Sequence, residues 1–309
     1  MCYQPLHAGE VDFHAACAKQ FFGQPIPPML PYATADMEAL AKEVIQSQIM
    51  LTGVQPKISL HLSKKSKHEA RTGFTVVGLQ GGYILKPPAP YYEQLPEVED
   101  LTMHLAALSK IKIAPHSLIR LADGQLAYLT KRMDRVKTRK LAMEDMCQLT
   151  DRLTEYKYLG SYEQIGKSIL QYSASPGLDL VNLFELLLFC FLTGNADMHL
   201  KNFSLLEQPG FGMTLAPAYD LVNTALVNPA DTEELALNLN GKKKKIERHD
   251  FVAAMNTLRL DEKQQQNIFN KMTVNLRAWE ATIAASFLSE EYKAVYWELV
   301  SARAERLFA

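Results

Sequence analysis

The sequence carries no excess charge of either sign. Its 33 lysines and arginines are balanced by 34 aspartates and glutamates, so the formal net charge at pH 7 is −1. Such a chain has no global electrostatic field that would hold nucleic acid or an anionic membrane surface. The composition therefore argues against a strongly basic DNA-binding or membrane-surface protein.

Long hydrophobic runs and export signals are also missing. The most apolar stretch, residues 183–193, contains Glu185 and is too short to span a bilayer, which predicts a buried helix. Residues 1–10 have no basic region followed by an apolar stretch. The four cysteines are scattered, and none belongs to a C-x-x-C pair. Together these absences predict a cytoplasmic protein with reduced thiols and no membrane contact.

Two of the cysteines lie near two histidines at the start of the sequence, in the set Cys2, His7, His14 and Cys17. Cysteine and histidine are ligands that Zn²⁺ prefers, but this spacing matches no common zinc pattern. We therefore favour surface and packing roles for the four residues and keep a metal site as the alternative.

The first part of the sequence is rich in strand patterns. These share alternating or continuous apolar residues between turn signals: 58–62, 74–79, 83–86, 117–121 and 126–130. Helices are predicted near residues 36–50 and 97–110, and residues 1–35 are expected to be an irregular leader. We therefore predict a β-rich N-terminal lobe over residues 1–132, which includes the leader and a phosphate-binding loop.

The second part of the sequence, residues 133–309, is mainly helical. The clearest helical periodicities lie at 142–153, 162–173 and 178–192. A β-rich part followed by a helical part predicts a two-lobed α+β fold.

The strongest local signal follows the apolar helix. Phosphoryl transfer needs a carboxylate that orients the attacking hydroxyl group and accepts its proton, together with oxygen ligands for Mg²⁺. Protein kinases place an Asp and a metal-binding Asn five residues apart on one loop, and Asp197 and Asn202 have this separation. His199 and Lys201 lie between them and could contact the γ-phosphate of ATP. Asp220, 18 residues after Asn202, could supply a second metal carboxylate.

The phosphates of ATP also need a cation. Lys86 ends an apolar strand, and Glu99 in the next helix could pair with it, as the strand lysine of kinases pairs with a helix glutamate. The loop of residues 53–57 could cover the phosphates with backbone N–H groups, although it fits neither common phosphate-loop pattern. Taken alone, Asp197 and Asn202 are as consistent with helix caps as with a catalytic loop, and Lys86 and Asp220 fit an edge position and a turn better than a nucleotide site. Their order along the chain is what favours a nucleotide site.

These segments resemble the HipA-like kinases, the toxins of bacterial type II toxin–antitoxin systems. The resemblance covers about residues 50–300 and is carried by these segments: 53–57, 83–87, 95–99, 131–135, 144–148, 157–158, 161–163, 195–203 and 217–221. It implies a protein-kinase-like (HipA-like) fold and a serine/threonine protein kinase that uses ATP and Mg²⁺.

The resemblance also implies a role for each site residue. Asp197 would be the catalytic base, and Asn202 and Asp220 would hold Mg²⁺. Backbone groups of Lys131 and Met133 would hold the adenine. The remaining ATP-binding residues would belong to the phosphate loop, the strand and the helix: Gly53, Val54, Gln55, Lys57, Lys86 and Glu99.

Because the phosphate loop begins near residue 50, the chain resembles the short HipT type within this family. That resemblance implies a HipS-like small protein that supplies a missing N-terminal subdomain, and a HipB-like DNA-binding antitoxin through which alone the chain would meet DNA. It also implies an aminoacyl-tRNA synthetase as the protein substrate, with tryptophanyl-tRNA synthetase favoured. Self-phosphorylation near the loop is a further implication, with Ser47, Thr52 and Ser59 as candidate acceptors.

Two other functions stay open. A small-molecule phosphotransferase shares the Asp…Asn…Asp arrangement, and a non-catalytic scaffold or co-repressor could share the fold. The lysine run at residues 242–245 is interpreted as the solvated arm of a hairpin that turns at Asn240 and Gly241, rather than as a nucleic-acid contact.

Overall fold

The computed structural model describes residues 1–45, 57–63, 72–77, 81–136 and 139–308. The chain divides into two compact units. The first comprises Met1–Asp100, Ala114–Met133 and Ala285–Phe287, and the second comprises Leu101–Ile113, Asp134–Ala284 and Leu288–Ala309. Strands dominate the first unit and helices dominate the second, which confirms the α+β fold class.

The first unit is built on an antiparallel five-stranded sheet. Its strands are β1 (Ile58–Leu62), β2 (Phe74–Val76), β3 (Tyr83–Lys86), β4 (His116–Arg120) and β5 (Leu126–Lys131). They lie in the order β2-β1-β3-β5-β4, and all four neighbouring pairs are antiparallel. All five strands were predicted from the sequence. The predicted end of the second strand, at residue 79, falls outside the described residues.

The prediction that residues 1–35 are irregular is wrong in part, because they contain helix α1 (Ala15–Phe22). Helix α2 (Thr34–Ile45) lies where a helix was predicted at residues 36–50, and residues 46–50 of that prediction fall outside the described residues. Gly23 caps the C-terminal end of helix α1; it has a φ of 80° and donates its N–H to the carbonyl of Lys19. Phe22 packs edge-on against Phe74 of the sheet, with 6.1 Å between the ring centroids. The helix forms because its apolar residues have a sheet to cover, which a local pattern of eight residues does not reveal.

Helix α3 (Leu95–Leu108) begins in the first unit and continues into the second. The strands of the second unit are β6 (Arg135–Val136), β7 (Arg139–Lys140), β8 (Met143–Asp145), β9 (Ser204–Gln208) and β10 (Gly212–Leu215). Its further helices are α4 (Met146–Leu149), α5 (Tyr162–Tyr172), α6 (Pro176–Leu192), α7 (Thr224–Val227), α8 (Arg248–Thr257), α9 (Glu262–Leu276), α10 (Trp279–Ala284) and α11 (Glu290–Phe308).

Helix α6 is the centre of the second unit. Residues 183–192 are all buried, as the apolar run predicted. Phe189 packs edge-on against the fully buried Trp279, with 5.3 Å between the ring centroids. The indole N–H of Trp279 donates to Ser109 Oγ at 3.1 Å, so its polar group is satisfied inside the core. None of the helices in the described ranges is long and apolar enough to cross a membrane.

The prediction of a helix over residues 142–153 is wrong. Residues 143–145 form β8, whose Met143, Glu144 and Asp145 pair with residues 204–206 of β9. Only the four residues of α4 are helical there, and Asp145 caps them, with its carboxylate accepting from the N–H of Gln148. Pairing with a strand some 60 residues away therefore overrides a local helical pattern.

The lysine run follows a tight turn, as predicted. Asn240 and Gly241 have φ values of 50° and 76°, and Leu239 and Lys242 form an antiparallel bridge across them. Lys242 lies 2.9 Å from Asp250 and Lys243 lies 3.2 Å from Glu233. These local acidic partners reduce the positive field of the run.

Candidate active site

The polar segment of residues 194–203 lies between helix α6 and the three-stranded sheet of the second unit, whose strand order is β10-β9-β8. Helix α6 ends at Leu192, and Gly194 follows with a φ of 73°. A Cβ atom at Gly194 would lie 2.6 Å from Oδ1 of Asn223, so only glycine fits there. After the loop, residues 200–202 form one 3-10 turn and β9 begins at Ser204. The loop is therefore fixed at both ends by buried structure.

Asp197 lies at the exposed side of this loop. Its side chain is 49% exposed, and its Oδ1 accepts a hydrogen bond from the hydroxyl of Tyr158 at 2.5 Å. Its backbone N–H donates to Oδ1 of Asn195 at 3.1 Å. The carboxylate is thus oriented by a neighbour and still accessible to solvent, which suits a group that receives a proton from a substrate.

Asn202 is tied directly to Asp197. Its Nδ2 donates to the backbone carbonyl of Asp197 at 2.9 Å, and the residue is 7% exposed. Because the amide nitrogen is used in this way, the carboxamide oxygen remains available as a ligand or acceptor. The five-residue spacing predicted from the sequence therefore corresponds to a real contact between the two residues.

Asp220 is held beside the loop by the preceding residue, Tyr219. The hydroxyl of Tyr219 contacts Ser204 Oγ at 2.6 Å and the carbonyl of Lys201 at 3.0 Å. Asp220 itself has a φ of 56°, which residues other than glycine adopt rarely and at a cost of about 1–3 kcal/mol. Left-handed residues of this kind cluster at functional sites, and here the predicted metal carboxylate has that conformation.

His199 and Lys201 have environments that the sequence did not reveal. His199 is 5% exposed, and burial lowers its pKa to about 4 although the nearby Asp197 acts in the opposite direction. The ring is therefore neutral near pH 7. Lys201 forms an ion pair with Asp145, with 2.7 Å between Nζ and Oδ2. Contacts of these two residues with the γ-phosphate stay a prediction.

Lys86 and Glu99 meet in the first unit, as predicted. Their Nζ and Oε1 atoms are 2.6 Å apart, and the residues are 4% and 0% exposed. The ammonium group also lies 5.4 Å from the ring centroid of Tyr128 on β5. A lysine at the end of an apolar strand is thus explained by a buried partner on α3.

The structure describes only some of the other residues that were predicted to contact the nucleotide or to accept phosphate. Lys131 lies at the end of β5, and its N–H donates to the carbonyl of Pro115 at 2.8 Å, so that group is already engaged. Lys57 is exposed and directly precedes β1. Ser59 lies inside β1, and its Oγ accepts from the N–H of Gly81 at 3.1 Å. Several residues of the predicted loop and acceptor set lie outside the described ranges: Ser47, Thr52, Gly53, Val54 and Gln55.

Sequence reasoning missed two residues of this site. Tyr158 and Asp145 fall in segments used for the family resemblance, yet neither was given a role. Tyr158 contacts Asp197, and Asp145 contacts Lys201. Both come from parts of the chain that precede α6, so no spacing within the loop could have identified them.

A family model described as the HipA-like C-terminal domain matches residues 49–279. A protein of Haemophilus influenzae named as a candidate kinase is 30% identical over 210 residues, which cover 64% of this chain and 59% of that protein. The candidate kinase Y4dM of Sinorhizobium fredii is 29% identical over 245 residues, which cover 75% of this chain and 59% of that protein. The chain thus spans less than two thirds of the length of both relatives.

Two solved structures share the fold. HipA of Shewanella oneidensis MR-1, determined in complex with HipB and operator DNA, aligns with a TM-score of 0.67 and 23% identity, over 86% of this chain and 70% of that one. The proinflammatory kinase CtkA of Helicobacter pylori aligns with a TM-score of 0.56 and 14% identity, over 81% and 93%. These likenesses confirm the predicted HipA-like, protein-kinase-like fold. Because the family model covers most of the chain, the protein belongs to the HipA-like C-terminal domain family.

Proposed function

We propose that this chain is a serine/threonine protein kinase that uses ATP and Mg²⁺ and acts as the toxin of a type II toxin–antitoxin system. The observation that carries the proposal is the contact between Asn202 and Asp197, in which Nδ2 donates to the Asp197 carbonyl at 2.9 Å. This contact holds a solvent-accessible carboxylate and an amide oxygen in one rigid loop. Kinases use this pair of groups for the base and for a metal ligand.

In the proposed mechanism, Asp197 orients the hydroxyl group of a substrate serine or threonine and accepts its proton. The hydroxyl oxygen attacks the γ-phosphorus in line with the departing ADP oxygen, so one P–O bond forms as the other breaks. No covalent intermediate on the enzyme is needed, and no cysteine has a role. Tyr158 would keep the Asp197 carboxylate in the orientation that accepts the substrate proton, through its hydrogen bond to Oδ1.

The proposed metal ligands are Asn202 and Asp220. Both offer oxygen atoms, which hard cations such as Mg²⁺ prefer, and the amide nitrogen of Asn202 is already bonded to the Asp197 carbonyl. The donor set therefore fits Mg²⁺. When bound, this ion would neutralise charge on the β- and γ-phosphates.

The remaining ATP contacts are proposed for the first unit. Lys86, held by Glu99 at 2.6 Å, would contact the phosphates with its ammonium group. The residues Gly53, Val54, Gln55 and Lys57 would cover the phosphates from their loop. Backbone groups of Lys131 and Met133 would bind the adenine, with the carbonyl of Lys131 as acceptor because its N–H is engaged by Pro115.

The proposed substrate is an aminoacyl-tRNA synthetase, with tryptophanyl-tRNA synthetase favoured through the resemblance to the short HipT type. Self-phosphorylation is proposed at Ser47 or Thr52, in preference to Ser59. Ser59 is the weaker candidate, because its hydroxyl oxygen accepts a hydrogen bond inside β1 and its strand would have to open to reach a catalytic base.

The proposed partners are a HipB-like DNA-binding antitoxin and a HipS-like small protein. The solved HipA of Shewanella oneidensis was determined together with HipB and operator DNA, which supports an antitoxin of the HipB type. Contact with DNA would then be indirect, since the net charge of this chain is −1.

A transfer assay with ATP labelled on the γ-phosphate tests the proposal. The purified full chain is incubated with Mg²⁺ and either a bacterial lysate or a panel of small hydroxyl compounds. We expect label on serine or threonine of a protein, and its loss in Asp197→Gln. Asp261→Asn is a matched control, because Asp261 is an exposed cap of α9 and asparagine also caps helices.

Two results would contradict the proposal. Label confined to small molecules would identify a small-molecule phosphotransferase. No transfer to any acceptor, with an antitoxin complex that still forms, would identify a non-catalytic scaffold or co-repressor.

A further inference from the structure

Three side chains with metal-binding atoms converge at the start of the first unit. The Sγ atom of Cys2 lies 3.2 Å from Nδ1 of His14, and the Sγ atom of Cys17 lies 3.9 Å from the same nitrogen. All three ligand atoms lie within 4.8 Å of one another, and the three residues are half-buried. We propose that Cys2, His14 and Cys17 form a binding site for a thiophilic divalent cation of the zinc type.

The distances suit a tetrahedral ion. With metal–sulfur and metal–nitrogen bonds of about 2.3 and 2.0–2.1 Å, sulfur and nitrogen ligands of one tetrahedron lie about 3.6 Å apart. The two observed sulfur–nitrogen distances, 3.2 and 3.9 Å, lie on either side of this value. Small side-chain movements would therefore bring all three atoms to bonding positions.

The histidine is already oriented as a ligand. Its Nε2 lies 2.8 Å from the carbonyl oxygen of Pro5, which can only accept a hydrogen bond. The neutral ring must then carry its proton on Nε2, and the lone pair on Nδ1 faces the two sulfur atoms. Metal-bound histidines use their second ring nitrogen in the same way, to fix the tautomer and the orientation of the ring.

The backbone around the histidine is also fixed. His14 directly precedes α1, and Cys17 lies three residues later on the first turn, so both side chains project from one face. The carboxylate of Glu10 accepts from the N–H groups of His7 and Ala15 at 3.0 and 2.9 Å, which closes the loop before the helix. The two ligands on this side are therefore held in place before any ion binds.

The site has a structural consequence for the first unit. An ion bound by these residues would join Cys2 to the helix whose Phe21 and Phe22 are buried in the core of the sheet. Closing the chain in this way favours the folded state, because the assembled ligand set does not exist in the unfolded chain. Three protein ligands leave the fourth tetrahedral position to water or to another group.

Sequence spacing did not predict this assembly, because Cys2 and His14 are separated by twelve positions and match no common zinc pattern. His7 forms a separate group of possible ligands with Glu10 and His14, and it is not part of the group that contains Cys2 and Cys17. The four-residue set considered from the sequence thus becomes a three-residue set in the structure.

A titration with Co²⁺ tests the proposal on the full chain. The protein is reduced, treated with a chelator and titrated without oxygen, and then Zn²⁺ is added as competitor. We expect one equivalent of Co²⁺ to produce a thiolate-to-cobalt charge-transfer band, which Zn²⁺ removes. A cation bound only by Asn202 and Asp220 would give no such band, since these residues offer oxygen ligands.

Variants assign the band to the proposed residues. Cys17→Ser and His14→Ala should each weaken Co²⁺ binding at least about tenfold. Cys147→Ser should bind as wild type, because Cys147 lies in the second unit. A wild-type protein without the band would overturn the proposal, even if a variant failed to fold. Equal binding by Cys17→Ser and wild type would also overturn it.

Discussion

The hydroxyl of Tyr158 donates a hydrogen bond of 2.5 Å to Oδ1 of Asp197. Burial and the adjacent Asp197 carboxylate raise the pKa of Tyr158 above its ordinary value, so the hydroxyl keeps its proton and remains a donor. The Tyr158 ring also packs edge-on against His199, with 5.0 Å between the ring centroids. One oxygen of the proposed base is therefore occupied by a fixed donor, and the other remains available for a substrate hydroxyl.

Removal of this donor should slow phosphoryl transfer without weakening nucleotide binding. In Tyr158→Phe the Asp197 carboxylate loses its orienting contact, and we expect kcat to fall about 10- to 100-fold with little change in the Kd for ATP. Tyr156→Phe is the matched control, because Tyr156 is 47% exposed in the same segment. A rise in kcat for Tyr158→Phe would instead identify the hydrogen bond as inhibitory.

The buried Lys86–Glu99 pair should affect both stability and nucleotide binding. Lys86→Met removes the cation that lies 2.6 Å from the Glu99 carboxylate, and leaving a buried charge without that partner costs about 3–5 kcal/mol. Urea unfolding should show this loss, and calorimetry should show weaker ATP binding.

A double variant separates these two effects. Lys86→Met combined with Glu99→Gln removes both charges, so much of the lost free energy of unfolding should return. ATP binding should stay weak, because the cation for the phosphates is still absent. Recovery of ATP binding in the double variant would contradict the proposed role of Lys86.

The carboxylates of Asp197 and Asp220 should respond differently when each is replaced by a neutral amide. Asp220→Asn should abolish Mg²⁺-dependent ATP binding, and asparagine tolerates the φ of 56° found there. Asp197→Asn should bind ATP and Mg²⁺ as wild type but transfer phosphate about 10²- to 10⁴-fold more slowly, since it lacks a base. Calorimetry with and without Mg²⁺, followed by a single-turnover assay, distinguishes them. The reverse pattern would exchange the two proposed roles.

The sequence was informative where local pattern and tertiary role agree. The strand at residues 83–86 and the helix that holds Glu99 follow from apolar periodicity, and the Lys86–Glu99 pair follows from their order. The helix predicted at 142–153 failed because Asp145 and its neighbours pair with β9, a contact that no local window contains. The cluster of Cys2, His14 and Cys17 was considered but not favoured, since its geometry depends on how the residues between Cys2 and His14 fold back. The contact between Tyr158 and Asp197 had no signal beyond the resemblance.

Lys201 offers a test of whether the loop lysine acts on the phosphate or only supports the loop. Its ion pair with Asp145 is partly exposed and contributes less than about 1 kcal/mol to stability, so Lys201→Met should fold normally. If Lys201 contacts the γ-phosphate, its loss should lower kcat about 10²- to 10³-fold, as the loss of a transition-state donor does.

Asp145→Asn provides the comparison for Lys201→Met. Asp145 caps α4 by accepting a hydrogen bond from the N–H of Gln148, and an asparagine side chain can accept the same bond. The substitution removes the negative charge that pairs with Lys201. We expect kcat of this variant to stay within a few-fold of wild type, because the ammonium group remains present and is freed from its partner. Equal losses of activity in the two variants would show that the ion pair positions the loop and that Lys201 does not act on the phosphate.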